Sequence, residues 1–175
     1  APAIHFHACS DAPEGEALSY GELWHSAVAT SHCLHAAGVR AGDPVVLLLP
    51  TGLHFTIYFF GILLCGGVAV PLASDTLQKG STLDFAQLRP TIDDCGARHV
   101  IAAPELAAAL QAELPTLHAL CEAPARTVDA LPEVPLNRDP ARLALMQYTS
   151  GSTSRPKAVM LSHHNLASNL HAITA

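Results

Sequence analysis

Apolar positions in this chain follow two alternating rhythms. Short apolar runs fall at 45–49, 68–72, 99–102, 143–148 and 158–161, and each predicts a strand. Longer stretches between them carry apolar residues at helical spacing. Ser19-Tyr20-Gly21-Glu22 has the spacing of a capping box, and a helix follows with Tyr20, Leu23, Trp24, Ala27, Ser31 and Leu34 on one face and Gly38 as its stop. Residues 53–65 have the length of a second helix. Residues 82–95 are helical in pattern, but Pro90 inside them predicts a break or two short helices. Pro104–Glu113 opens with proline in the first turn and is rich in alanine, so a further helix is expected there. Ser162 caps a last helix.

The remaining segments lack a period. Residues 1–17, with Pro2, Pro13 and Gly15, read as an irregular lead-in. Gly42-Asp43-Pro44 is a turn into the strand at 45–49. Residues 73–81 form a polar loop, 114–125 a weak connection, and 126–128 a short strand. Pro132, Pro135 and Pro140 make 131–142 an extended linker. Alternating helices and strands predict an α/β layered fold: a largely parallel sheet with flanking helices. The expected organisation is lead-in (1–17), α/β region (18–130), linker (131–142), then strand, loop, strand and helix (143–175).

Composition narrows this picture. Half of the 175 residues are apolar and 14% are charged, so a packed core is expected rather than disorder. The net charge of -6 disfavours a nucleic-acid partner, which wants a basic face. Residues 44–74 carry no Asp, Glu, Lys or Arg, which raises the question of a membrane span. Pro50, Gly52, Gly61, Gly66, Gly67 and Pro71 divide that run at element boundaries, so strand, helix and strand buried in a sheet explain it better. Cys9, Cys33, Cys65, Cys95 and Cys121 are odd in number and contain no Cys-x-x-Cys pair, as expected of reduced thiols in a cytoplasmic protein. No secretory leader pattern is visible in residues 1–20. A chain that starts without Met and stops inside a helical pattern is expected to be part of something longer.

Candidate chemistry concentrates after residue 148. Thr149, Ser150, Gly151, Ser152, Thr153 and Ser154 are all hydroxyl-bearing or glycine, and Lys157, one of two lysines in the chain, follows. Dense donors, little bulk and one fixed cation suit a polyphosphate. The alternative is a Ser/Thr-rich surface hairpin. A Walker loop does not fit. Counting from Gly151, Pro156 stands where the second glycine belongs and Ala158 where the metal-binding hydroxyl belongs. Elsewhere, Trp24, Phe55, Tyr58, Phe59 and Phe60 at helical spacing are expected in the core. His5-x-His7 with Cys9, and His163-His164, lack the partners a metal site needs, so no metal ligands are assigned.

The order Tyr148-Thr-Ser-Gly-Ser-Thr-x-x-Pro-Lys157-x-Val159, followed by Ser162-His163, resembles the signature loop of the adenylate-forming enzymes. These are the acyl-CoA synthetases, fatty acyl-AMP ligases and peptide-synthetase adenylation domains. Leu18 to Leu23, Gly42 to Pro50, and Phe60-Gly61 through Gly66 to Pro71 are similar to the same superfamily in the same order. Gln147, Ser152 and Val159-Met160-Leu161-Ser162-His163-His164-Asn165-Leu166 look closest to its fatty acyl-AMP ligase branch.

The resemblance implies a fold, the N-terminal subdomain of that enzyme class, and a reaction. A carboxylic acid joins the α-phosphate of ATP as acyl-AMP and pyrophosphate leaves. The acyl group then passes to an acyl carrier protein's phosphopantetheine thiol or to CoA. Thr149, Ser150, Gly151, Ser152, Thr153, Ser154 and Lys157 would hold the ATP phosphates with Mg²⁺. His163 would support the acyl-site wall, or else simply open a helix. The resemblance places the nucleoside-binding segments, a magnesium-binding glutamate and a catalytic lysine in the rest of the enzyme. No catalytic residue is therefore assigned here, and these residues alone are expected to be inactive. Two positions depart from the pattern: Ser154 and Ala158 stand where the family usually has glycine. If either needs a positive φ, a side chain there costs roughly 1–2 kcal/mol. A binding module without catalysis is the reading such a cost would favour.

Overall fold

The computed structural model describes residues 2–6, 16–72, 78–79, 82–83, 85–121, 139–149 and 156–174. Its centre is a six-stranded sheet in the order β10–β9–β4–β3–β7–β8. These strands are β3 (Pro44–Leu48), β4 (Val68–Pro71), β7 (His99–Ala102), β8 (His118–Cys121), β9 (Leu143–Thr149) and β10 (Lys157–Ser162). β3 pairs in parallel with β4 and β7, β7 with β8, and β4 with β9; β10 alone runs antiparallel, on the edge beside β9. The expected largely parallel sheet is present.

The central strands β3, β4 and β7 bury both faces, so their residues divide between two cores. Val46, Leu48, Val70, Val100 and Ala102 pack on one face against Leu88, Ile92, Ala107 and Leu110. These come from helices α3 (Phe85–Cys95) and α4 (Pro104–Glu113). Val45, Leu47, Leu49, Ala69 and Ile101 pack on the other face against Leu34, Tyr58 and Ile62. These come from α1 (Tyr20–Ala36) and α2 (Leu53–Leu64). Val45, Val46, Leu47 and Leu48 have no exposed surface, which explains why the strand reads as an unbroken apolar run.

Local chemistry sets the element ends. The Ser19 side chain accepts from the Glu22 backbone N–H at 3.2 Å, and Glu22 accepts from the Ser19 N–H at 2.8 Å, the expected capping box. Helix α2 crosses α1 at Gly61, where an added Cβ would lie 2.5 Å from Thr30 Cγ2. Gly66, at φ 81°, turns the chain from α2 into β4. A last helix, α5 (His163–Thr174), follows β10.

Several expectations need correction. Residues 1–17 are not wholly irregular: β1 (Pro2–Phe6) pairs antiparallel with β2 (Glu16–Ser19). The 73–81 loop contains β5 (Gln78–Lys79), which pairs with β6 (Thr82–Leu83). The weak connection at 114–125 contains β8, which pairs in parallel with β7, the strand on the other side of α4. Pro90 does not break its helix, because α3 is seated on the sheet by buried Leu88, Ile92 and Cys95 on either side of it. Trp24 and Phe60 are not core: they are 48% and 40% exposed on the outer side of the α1–α2 layer, whereas Tyr58 is buried. The strand expected at 126–128 and the linker residues 131–138 lie outside the described residues.

Candidate functional site

The parallel strands share a direction, so their carboxyl ends share one edge of the sheet. In open α/β sheets that edge is where ligands bind. Strand β9 reaches it and goes further. With Leu145 beside Ala69, Gln147 lies level with Pro71, the last residue of β4, and Thr149 lies beyond it. β10 then returns, with Lys157 opposite Thr149 and Ala158 opposite Tyr148. Thr149 and Lys157 are therefore cross-strand partners on one face at the mouth of a hairpin, and both are exposed. Ser150, Gly151, Ser152, Thr153 and Ser154 fall between them and lie outside the described residues. Ala158 sits inside β10, and among the described residues no side-chain-bearing residue has a positive φ. The backbone cost considered for an alanine at this position does not arise.

The stem of the hairpin is fixed at both ends. Met146 and Tyr148 point to the α3 side and pack on the core that holds Leu88, Ile92 and Cys95. The Tyr148 hydroxyl donates to Asp94 Oδ2 at 2.6 Å. Burial first, and this bond second, hold the phenol well above the usual tyrosine range. Burial likewise pushes the Cys95 thiol up. At the other end, Arg142 Nη2 donates to the Gly66 carbonyl at 3.0 Å, and the Arg142 carbonyl accepts from the His163 N–H at 3.0 Å. Ser162 and Asn165 exchange side-chain-to-backbone bonds at 2.9 and 3.2 Å, which caps α5.

His163 opens α5 and is half-buried. Burial, and then the charge of Arg142, push its imidazole below the usual histidine range. It is not brought near Lys157: the two lie at opposite ends of β10, about 20 Å apart along extended chain. Among the described residues no group of three or more His, Cys, Asp or Glu side chains could hold a metal ion. Asp94 and Arg142 are the residues that sequence reasoning missed. Neither carries a local signal, because their partners are 54 and 76 positions away.

The family model described as AMP-binding enzyme matches residues 1–175. The chain belongs to the AMP-binding enzyme family. A feruloyl-CoA synthase from an Amycolatopsis species is 35% identical over 167 residues, covering 93% of this chain and 32% of that protein. The long-chain-fatty-acid–AMP ligase FadD32 of Mycolicibacterium smegmatis is 33% identical over 138 residues, covering 75% of this chain and 21% of that protein. Among solved structures, the fatty acid AMP ligase from Legionella pneumophila superposes with a TM-score of 0.80 at 29% identity, over 93% of this chain and 28% of that one. This AMP-binding chain thus spans about a third or less of the relatives it matches. Its layered α/β architecture is that of their N-terminal subdomain.

Proposed function

We propose that this chain is the N-terminal part of an ATP-dependent ligase that activates a fatty or other carboxylic acid as acyl-AMP. The acyl group then passes to the phosphopantetheine thiol of an acyl carrier protein. The observation that carries the reading is the Thr149–Lys157 pair at the carboxyl edge of the sheet, which brackets a hydroxyl- and glycine-rich stretch of sequence. Thr149 and Lys157 can present a hydroxyl and a cation to one phosphate group, and Ser150, Gly151, Ser152, Thr153 and Ser154 add donors between them. The carboxylate attacks the α-phosphorus, the bond to the β-phosphate oxygen breaks, and charge collects on departing pyrophosphate. A fixed cation there lowers the barrier. The carboxylate that would hold Mg²⁺ is expected in the rest of the enzyme, and the ion would supply positive charge to the ATP phosphates. His163 would support the acyl-site wall from the far end of β10.

Transfer to CoA is the second reading, favoured by the 35% identity to a feruloyl-CoA synthase. A cytoplasmic setting suits both. Cys33, Cys65 and Cys95 are free thiols, and no helix among the described residues is long and apolar enough to cross a membrane.

The test is Lys157→Ala in the full-length protein. Carboxylate-dependent pyrophosphate exchange should fall by about 100-fold, the usual cost of losing one preorganised charge-stabilising group. Unchanged exchange removes Lys157 from this role. Supplying CoA or a pantetheinylated carrier as the acceptor separates the two readings.

A further inference from the structure

Tyr148 lies just before Thr149 at the end of strand β9. Its side chain leaves the hairpin and reaches helix α3. Its ring packs on the core that holds Ile92 and Cys95, while its hydroxyl meets Asp94 at 2.6 Å. Asp94 is next to last in α3 and is exposed. The partner therefore belongs to a helix seated on the central strands, not to the hairpin itself.

The hairpin needs such an anchor. Its mouth overhangs β4, which ends at Pro71, level with Gln147. On its other side β10 is the edge of the sheet. At Tyr148 and beyond, the stem has its own cross-strand ladder but no β4 ladder to fix it against the sheet.

We propose that the Tyr148–Asp94 hydrogen bond is a tether that sets the position of the Thr149–Lys157 pair, making Tyr148 and Asp94 positioning residues for nucleotide phosphates. The proposal rests on the ligase reading for its ligand, but the tether itself is read separately. Phenylalanine fills the same apolar space as tyrosine and leaves Asp94 solvated, so the fold should tolerate the loss of the hydroxyl. What should suffer is the placement of Thr149 and Lys157.

The experiment compares wild-type full-length protein with Tyr148→Phe, Asp94→Ala, Asp94→Asn and the Tyr148→Phe/Asp94→Ala double variant. Three readouts are taken: steady-state KM for ATP and for the carboxylic acid in pyrophosphate exchange, Tm, and amide hydrogen exchange at Thr149 and Lys157. Tyr148→Phe and Asp94→Ala should each raise KM for ATP about tenfold, the scale expected when a contact is misplaced by less than an ångström. KM for the acid should stay within about twofold and Tm within about 3 °C, since no buried volume is lost. Asp94→Asn should stay close to wild type, because its amide oxygen still accepts from the phenol. The double variant should be no worse than either single one. Exchange at Thr149 and Lys157 should quicken in Tyr148→Phe and Asp94→Ala alone.

A lower Tm with unchanged ATP KM and unchanged amide exchange would make the bond merely structural and overturn the proposal. So would single effects that add in the double variant, or an Asp94→Asn that behaves like Asp94→Ala. If the wild-type protein has no exchange activity, the ligase reading falls, and hydrogen exchange at the two amides still decides the tether.

Discussion

Gly61→Ala tests the packing of the helix layer that carries the chain into β4. In an exposed helix the change is favourable by about 1 kcal/mol, because alanine has less backbone freedom to lose. Here the added methyl would sit 2.5 Å from Thr30 Cγ2, 2.8 Å from Thr30 Cβ and 3.3 Å from the Ala27 carbonyl oxygen. Rotating Thr30 moves Cγ2 but not Cβ, and Thr30 is only 7% exposed. Carbon atoms pack at about 3.5–4.0 Å, so α1 and α2 must part by roughly 1 Å. That loosens Ala27, Ser31, Tyr58 and Ile62 together. Overpacking of this kind costs about 3 kcal/mol at the upper end of its usual range, leaving a net loss of about 2 kcal/mol. By the usual scaling for 150–250 residues, Tm should fall by about 4–8 °C in thermal unfolding followed by circular dichroism. Thr30→Gly removes both clashing atoms, so in that background the same Gly61→Ala change should stabilise, by about 1 kcal/mol. A Gly61→Ala that raises Tm in the wild-type background, or whose effect keeps its sign in Thr30→Gly, refutes the argument.

Acid should weaken the fold. His99 is buried and stacked on His118 with ring centroids 5.4 Å apart, and its Nδ1 has no hydrogen-bond partner. Burial, and then the neighbouring His118, push its imidazole below the usual range; burial and then Arg142 do the same to His163. The unfolded chain therefore binds these protons at a higher pH than the folded one. Stability should be full above about pH 6.5 and fall as the pH drops from there through the folded-state values. Urea midpoints measured at about pH 7.5 and 5.5 check this, and an equal or higher midpoint at the lower pH contradicts it. Ser162→Ala removes the hydroxyl that accepts from the Asn165 N–H at 3.2 Å. It should destabilise α5 by about 1 kcal/mol, visible as faster amide exchange in that helix's first turn, and Ser162→Asp should restore it.

Legibility followed burial. Strand 45–49 was visible because Val45 to Leu48 are buried on both faces and admit no polar residue. Helix Pro104–Glu113 was visible to both ends because proline can stand in a first turn, where no intrahelical donor is missed. β8 was not visible: it is a four-residue edge strand beginning with a histidine, and only its pairing with β7 makes it a strand. Pro90 misled because its local penalty is outweighed by apolar contacts that the rest of the fold provides. Trp24 and Phe60 misled for the opposite reason. Helical spacing identifies a face, but it does not say that anything lies against that face. In the candidate site, Lys157 stood out by its rarity and Thr149 by its neighbours. The bond to Asp94 had no trace, since 54 residues separate it from Tyr148.

A phosphate loop followed by a strand works under a constraint that a loop followed by a helix escapes. A helix start offers aligned N–H groups and a positive dipole end, both fixed by the helix itself. In this chain the next helix begins at His163, the far end of β10 and about 20 Å from Lys157. A helix dipole fades within its first turn, so α5 contributes nothing at the loop. On the proposed function, the positive charge comes from side chains such as Lys157. A flexible lysine holds a phosphate well only if its own backbone is held, and Lys157 is the first residue of an edge strand. Its position depends on the β9–β10 register, and above Gln147 that register runs past the β4 ladder. On the proposed reading the burden of rigidity falls on Tyr148, opposite Ala158 and one residue before Thr149, where the stem reaches the helix layer.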